Sequence, residues 1–343
     1  MDNCKILFIG DPHFKVNNIE IIDEFIHQCL EQLTSDIDIC VIGGDILHTH
    51  ERLHTTALNK AINFIDQVRK ICPTYILVGN HDYENNQQFL SKRHWMNALK
   101  EWTNTFIIDY TSIIKIKNFT FGMVPYVPPG RFVEALNIID NEWWKNVNCI
   151  FAHQEFYGCK MGAIESTEGD KWDHSFPLVI SGHIHSEQRP QKNIFYPGSV
   201  IQHAFGESED NGLLLLIFND PEIGEYPLMV KKILDIPKMR TINVKISDFS
   251  TLVLDPKKNE RIKIICKGSV ESFKALKRTK LYKNFLEKGI KIQFKFVQEN
   301  INTNHAVYEN NKTFPTILEQ LIKNENNACL TEIYHNILKK TQR

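Results

Sequence analysis

Short apolar runs that end in glycine or a small residue, then give way at once to polar residues, recur between residues 5 and 182. Lys5–Gly10, Asp38–Gly43, Tyr75–Gly79, Cys149–Ala152 and Leu178–Gly182 each read as a strand covered on both faces, since residues of both parities are apolar. Apolar positions three and four apart predict helices over Ile19–Leu33, Thr55–Ile71 and Lys92–Trp102. A further strand is expected over Leu213–Phe218, after the turn Pro197-Gly198-Ser199. Strands alternating with helices predict a layered α/β domain, in which the loops at the carboxyl ends of the strands gather at one cleft.

Those loops are where the polar clusters fall. Asp11-Pro12-His13, Gly43-Gly44-Asp45, Gly79-Asn80-His81-Asp82, His153 and Gly182-His183-Ile184-His185 come in that order. Together they offer enough oxygen and nitrogen donors for two adjacent divalent metals. Asp11, His13 and His185 can hold one, and Asn80, His153 and His183 the other. Asp45 is the natural bridge, because a carboxylate has two oxygens and can span ions about 3.5–4 Å apart. Mixed imidazole, carboxylate and amide donors favour Mn²⁺, Fe²⁺ or Zn²⁺ over an all-oxygen Ca²⁺ or Mg²⁺ cage. Any single piece is ordinary, since Asp-x-His arises by chance and a lone histidine after a strand is usually a hydrogen-bonded surface or core residue. The ordered set, each member following a strand, points to a dinuclear hydrolytic centre.

Composition narrows the setting. At 343 residues the chain has room for one large core and a smaller appended unit. No run reaches the length needed to span a bilayer, and Met1-Asp2-Asn3-Cys4 leads into the first strand without space for a secretory signal. The eight cysteines are scattered, and several lie in apolar runs, which predicts buried reduced thiols in an intracellular, reducing compartment.

The net charge of −1 conceals an asymmetry. Residues 257–295 hold thirteen Lys or Arg against three acidic residues, so this stretch is +10 and the remaining 304 residues sum to −11. Alternation in Arg261–Ile265 and Lys291–Phe296 predicts half-exposed strands, with a helix between them closed by Gly289. The result is a small β-α-β unit with a cationic face. It is either a solvated lysine-rich surface or a phosphate-backbone contact, with Lys277, Arg278 and Lys280 as candidate DNA-binding residues. Ile236-Pro237 marks a boundary, and the asparagine-rich stretch Glu299–Thr313 reads as a linker. Beyond it, Ile317, Leu318, Leu321 and Ile322 share one helical face, as do Leu330, Ile333, Tyr334, Ile337 and Leu338. The expected organisation is a catalytic domain over 1–235, a basic α+β unit over 236–298, and a linker with an amphipathic helix pair over 299–343.

The ordered motifs resemble the calcineurin-like metallophosphoesterase superfamily over the first two-thirds of the chain. Gly43-Gly44-Asp45-Ile46-Leu47-His48 resembles the Gly-Gly-Asp-Leu-Phe-His segment of SbcD-type DNA double-strand-break repair nucleases. His153-Gln154-Glu155-Phe156-Tyr157-Gly158 is similar to the corresponding segment of phage recombination nucleases, although Ala152 rather than glycine precedes the histidine. The Gly-Asp-x-x-Asp-Arg-Gly signature of serine/threonine protein phosphatases is absent.

This resemblance implies a layered β-sandwich flanked by helices, a small α+β capping domain and C-terminal helices. It implies a nuclease hydrolysing DNA phosphodiesters in end processing, repair or recombination, with two divalent metals. Manganese is expected first, with Fe, Zn or Mg as alternatives. His81 would be an uncoordinated general acid, His48 would orient the phosphate, and Asp82 would fix the loop or His81 by hydrogen bonding. The implied partners are DNA, the coiled coil of an SbcC-type ABC ATPase docked on the C-terminal helices, and a second copy of the chain, with no membrane. From the residues alone, the helix pair could equally pack on its own domain. His50, His54, His174 and His203 read as structural or peripheral, and Trp143, Trp144 and Trp172 as packing residues or base-stacking surfaces. Two rival functions remain: a small-nucleotide phosphodiesterase or phosphatase, and a non-catalytic DNA-binding subunit.

Overall fold

The structure is a computed structural model that describes residues 3–139, 142–256 and 260–296, together with 318–319, 321–322, 330–331 and 333–334. The chain divides into two compact units, 1–296 and 297–343. In the second, the described positions, among them Leu318, Leu321, Ile322, Leu330, Ile333 and Tyr334, are helical. The expected linker over Glu299–Thr313 and the rest of the amphipathic pair lie outside the described residues.

The predicted apolar runs form the middle of two six-stranded mixed sheets. In the first, the strands run in the order Leu228–Ile233, Gly212–Phe218, Cys4–Ile9, Ile39–Ile42, Thr74–Leu77 and Thr105–Ile108. The last four are parallel and the Gly212–Phe218 strand is antiparallel to its neighbours on both sides. In the second, the order is Gln188–Gln191, Ile194–Tyr196, Val179–Gly182, Cys149–His153, Phe119–Val124 and Ser112–Ile116. The sheets face one another across Phe8, Phe121, Phe151 and Phe218, all buried, with the Phe121 ring 4.9 Å from Phe218 and 5.8 Å from Phe151. A strand apolar on both sides needs a second cover. Helices Ile19–Gln32 and Thr55–Arg69 supply it for the first sheet, and Phe132–Leu136 with Trp144 and Trp172 for the second. The tryptophans Trp144 and Trp172 are therefore core residues, 2% and 5% exposed.

This helical layer also anchors the first polar loop. Phe14, next to His13, is wedged against Phe25 and Phe64, with ring centroids 6.5 and 5.7 Å away. Backbone pairing continues past the strand ends: His13 N donates to Asp45 O at 3.0 Å and Phe14 N to Ile46 O at 2.7 Å. Two loops distant in sequence are thus tied together before any side chain is considered.

The helix expected over Lys92–Trp102 is shortened to a 3-10 turn at Asn97–Glu101. The cause lies in the side chains. His94 Nε2 sits 3.1 Å from Asp109 Oδ2 and Trp95 Nε1 donates to Asp82 Oδ1 at 2.9 Å, so the start of the expected helix is held by contacts to two buried carboxylates. The described cysteines, Cys4, Cys29, Cys40, Cys72, Cys149, Cys159 and Cys266, are free and buried. No helix among the described residues is long and apolar enough to cross a membrane.

The basic stretch forms a separate parallel sheet, Met239–Lys245, Arg261–Gly268 and Lys291–Phe296. Two short helices, Val270–Leu276 and Lys280–Glu287, stand where one was expected. Ser269 and Thr279 cap them, each side chain accepting from the backbone N–H three residues on. Ile262, Ile264 and Cys266 pack with Leu276 and Phe285 on the helical side. Alternation puts Arg261, Lys263 and Lys267 on the other face, and the register places Lys245, Lys291 and Lys295 beside them.

Deleting the ring on which Phe14 rests, by Phe64→Ala, should cost about 3–5 kcal/mol in urea-induced unfolding. An effect below about 1 kcal/mol would mean that the helical layer is not part of the cooperative core.

Candidate metal centre

Three of the five polar clusters leave their strands through an unusual backbone conformation. Asp11, His13, Asp45 and His183 all have positive φ, at 41°, 42°, 51° and 79°. For residues with a Cβ this left-handed region costs about 1–2 kcal/mol each, and such strain gathers at functional sites. Two glycines make the close approach possible. A Cβ on Gly79 would lie 2.2 Å from Asp45 Oδ1, and one on Gly44, itself at φ 102°, would lie 2.5 Å from His153 Nδ1.

The predicted donors converge. Donor atoms of Asp11, His13 and Asp45 lie within 4.8 Å of one another, and so do those of Asp45, His153 and His183. Asp45 belongs to both groups: its Oδ2 is 3.5 Å from His13 Nε2 and 3.4 Å from His153 Nε2. Asn80 Oδ1 joins the second group, 3.1 Å from His153 Nε2 and 2.9 Å from His183 Nδ1. His185 joins the first, its Nε2 3.1 Å from His13 Nε2.

Tautomers decide what these short distances mean. His153 Nδ1 sits 2.7 Å from the Gly43 carbonyl, so this nitrogen carries a proton and Nε2 is the atom turned to the other donors. Nε2 faces two oxygens, Asn80 Oδ1 and Asp45 Oδ2, a contact that needs a proton or a metal cation between them; against the effect of burial, the Asp45 and Asp11 charges raise His153 to about 9, so in the metal-free protein a proton fills that place and a bound cation would displace it. Asp11 Oδ1 accepts from His183 N at 2.8 Å, but its buried Oδ2 has no hydrogen-bond partner. Converging lone pairs and an orphaned carboxylate oxygen fit divalent cations, and the mixed donor types are those of borderline metals.

Burial and charge act on the same groups in opposite directions. Burial alone would raise the Asp45 carboxyl, yet His153, His13 and His81 hold it well below the usual carboxylate range. Burial pushes Asp11 up to about 6 and drives His183 down to about 3. It also raises Asp82 to about 7, with the Asp45 charge adding to the effect. Asp82 does not face the donors. It accepts from Gly79 N at 3.1 Å, Leu47 N at 3.3 Å, Ile46 N at 3.4 Å and Trp95 Nε1, joining the second and third loops.

The remaining histidines surround the first group. His81 Nδ1 is 2.7 Å from the His48 carbonyl, while His81 N donates to Asp45 Oδ1 at 2.8 Å. His48 Nδ1 lies 3.4 Å from His13 Nδ1. His50 stacks on His81 with centroids 4.7 Å apart, and His203, read from sequence as peripheral, places its ring 4.8 Å from both His13 and His185. His203 comes in because the turn after Ser199 folds back over the cleft, letting Nε2 donate to Asp11 O at 2.8 Å. Glu207, unnoticed in the sequence, lies 3.3 Å from His185 Nδ1. No spacing rule links 185 to 203 or 207. By contrast His174 and His54 are exposed, and Lys277, Arg278 and Lys280 are exposed around the junction of the two short helices of the basic unit.

The sequence model described as Calcineurin-like phosphoesterase matches residues 4–187, which contain all the motif loops. The chain belongs to this family. It is similar to "Putative phosphoesterase 244L" of Invertebrate iridescent virus 6, 99% identical over 281 residues, covering 82% of this chain and 100% of that protein. To "Putative phosphoesterase 078R" of Invertebrate iridescent virus 3 it is 44% identical over 341 residues, 98% and 97% of the two chains. A subunit of the nuclease SbcCD of Staphylococcus epidermidis is 24% identical over 273 residues, 69% of this chain and 68% of that one. The site is thus the metal-binding active-site geometry of a calcineurin-like phosphoesterase, built for phosphoester hydrolysis.

For this phosphoesterase the shared position of Asp45 can be tested without touching a donor. Gly79→Ala puts a methyl group 2.2 Å from Asp45 Oδ1, forcing that carboxylate to move. It should remove tightly bound metal as completely as Asp45→Ala does, read by elemental analysis after desalting. Normal metal content in either variant would show that Asp45 does not serve both groups.

Proposed function

We propose that this phosphoesterase is a metal-dependent DNA nuclease acting in end processing, repair or recombination. The observation that carries this reading is the position of the helix-free cationic sheet face. Lys263 Nζ and Lys291 Nζ lie 5.5 and 5.6 Å from the centre of the Phe205 ring, and Phe205 is two residues from His203 at the metal centre. The Arg261 guanidinium donates to Asn17 O, on the loop that follows His13. A row of cations beginning at the cleft suits a polyanion that extends beyond the reacting phosphate; a small phosphate ester would leave it unused. The Gly43–His48 motif and the likeness to an SbcCD nuclease subunit support the same reading.

The divalent cations, when bound, supply Lewis-acid stabilisation of charge on the phosphoryl oxygens, with manganese the first expectation. Asp11, His13 and His185 would hold one and Asn80, His153 and His183 the other, with Asp45 shared. His81 would give a proton to the departing sugar oxygen. Its Nδ1–H is held by the His48 carbonyl, leaving Nε2 for the transferable proton. Burial lowers its pKa despite the opposing Asp45 charge, which makes the protonated ring a stronger acid and reduces its share at neutral pH. His48, with its ring stacked 5.3 Å from His81, would orient the phosphate. Residues 1–235 would be catalytic and 236–298 would contact DNA. The C-terminal helices would seat on the coiled coil of an ABC ATPase in an intracellular, reducing compartment, and a second copy of the chain would complete the assembly.

His81→Ala should keep metal content and DNA affinity while losing about 10²–10⁴ in turnover on ordinary DNA. A substrate with a better leaving group should recover part of the rate. Near-normal cleavage of ordinary DNA by this variant would exclude His81 as the acid.

Neutralising Lys263, Lys291 and Lys295 together should weaken DNA binding and flatten the plot of log affinity against log salt by about 0.7–0.9 per lost phosphate contact. Neutralising Lys277, Arg278 and Lys280, beside the short helices, should add a smaller change of the same sign. Hydrolysis of a small activated phosphodiester should be unaffected in both variants. An unchanged salt slope in both would move the assignment to a small-nucleotide phosphodiesterase or phosphatase.

A further inference from the structure

The turn between Val200 and Gly212 closes one side of the metal centre, and a single carboxylate organises it. Glu207 Oε2 accepts from His203 N at 2.6 Å, and Glu207 Oε1 lies 3.3 Å from His185 Nδ1. His203 Nε2 in turn donates to Asp11 O at 2.8 Å. The turn itself is fastened from behind: Gln202 Nε2 donates to both Glu207 O and Met239 O, each at 3.1 Å.

We infer that Glu207 is a positioning residue for one of the two donor groups: it fixes the tautomer and orientation of His185 and, through His203, the backbone of Asp11. An imidazole that holds a cation must present a bare nitrogen and place its proton on the other. An ionised carboxylate only accepts, so the Glu207 contact keeps the proton on His185 Nδ1. The bare Nε2 is then the atom 3.1 Å from His13 Nε2. A hydrogen-bonded carboxylate behind a ligating histidine also strengthens it as a donor.

The second donor group does not use this device. His153 is oriented by the Gly43 carbonyl, a backbone group, and His183 meets Asn80 Oδ1 directly. Dependence on Glu207 is therefore one-sided. Both of its oxygens are engaged with N–H donors, so a glutamine can satisfy one contact and presents its amide N–H₂ to the other.

The test is calorimetric titration of the metal-free full chain with Mn²⁺, paralleled by Co²⁺ absorption spectra. Glu207→Ala should weaken one binding step by about 10–100-fold and leave the other unchanged. Glu207→Gln should fall between wild type and alanine, with the Co²⁺ bands of one site altered. The loss should shrink in a His185→Ala background, where only the route through His203 to Asp11 remains, and persist in full in a His153→Ala background. Equal weakening of both steps, or no change in either, would overturn the assignment. Should Glu207→Ala lower the unfolding temperature of the metal-free protein, Glu207→Gln decides: a selective loss supports the role and unchanged affinities refute it.

Discussion

The constraint on which the rest of this structure depends is electrostatic: oxygen and nitrogen lone pairs from five loops meet in a buried space where they repel one another. His153 Nε2 faces Asn80 Oδ1 and Asp45 Oδ2, and Asp11 Oδ2 has no hydrogen-bond partner. Without a positive charge between them this arrangement is unfavourable, because few water dipoles reach it. The scaffold must therefore be stiff enough to hold these groups in place, whether a proton or a metal cation offsets their repulsion. Two packed sheets provide that stiffness. Each donor leaves a strand hydrogen-bonded on both sides, and the first two loops are joined by His13 N to Asp45 O and Phe14 N to Ile46 O.

The same constraint explains the backbone. Four of the donor-bearing residues adopt positive φ, which a side chain tolerates only when its surroundings enforce it. At Gly79 the enforcement is steric, since the loop passes so close to Asp45 that no Cβ fits. Asp82 then holds the two loops together by accepting from three backbone N–H groups and one indole. Strain, close approach and a buried acceptor act together there: relaxing any one would let Asp45 drift from the position shared by both donor groups.

Much of this was legible in the sequence, for a physical reason. Strands buried on both faces must be apolar at every position, so Lys5–Gly10 and Leu178–Gly182 announce themselves, as does the polar residue that ends each run. Cys4–Ile9 and Val179–Gly182 follow within a residue or so. What escaped was whatever depends on distant side chains. Lys92–Trp102 has helical periodicity, but His94 and Trp95 are drawn to Asp109 and Asp82, and the helix gives way. His203 and Glu207 lie in a turn without periodicity, and their role arises only because that turn folds over Asp11 and His185. Likewise, alternation in Arg261–Ile265 identified a half-exposed strand, observed over Arg261–Gly268, without saying which direction its cationic face would take.

Under the proposed nuclease reading, that direction would link binding to chemistry. Phe205 lies between the two: its ring is approached by Lys263 and Lys291, and its neighbours in the turn, His203 and Glu207, reach Asp11 and His185. The basic sheet and one half of the metal centre thus share a single short turn. A polyanion lying along the sheet would displace or screen the cations from Phe205, since phosphate outcompetes an aromatic face for an ammonium group. The turn would then be relieved of those contacts while its hydrogen bonds to Asp11 and His185 remain. The other donor group, held by Gly43 O and Asn80, has no such connection. The asymmetry between the two halves of the site is therefore built into what each is fastened to: one to the rigid interior of the sandwich, the other to the surface on which a long substrate would rest.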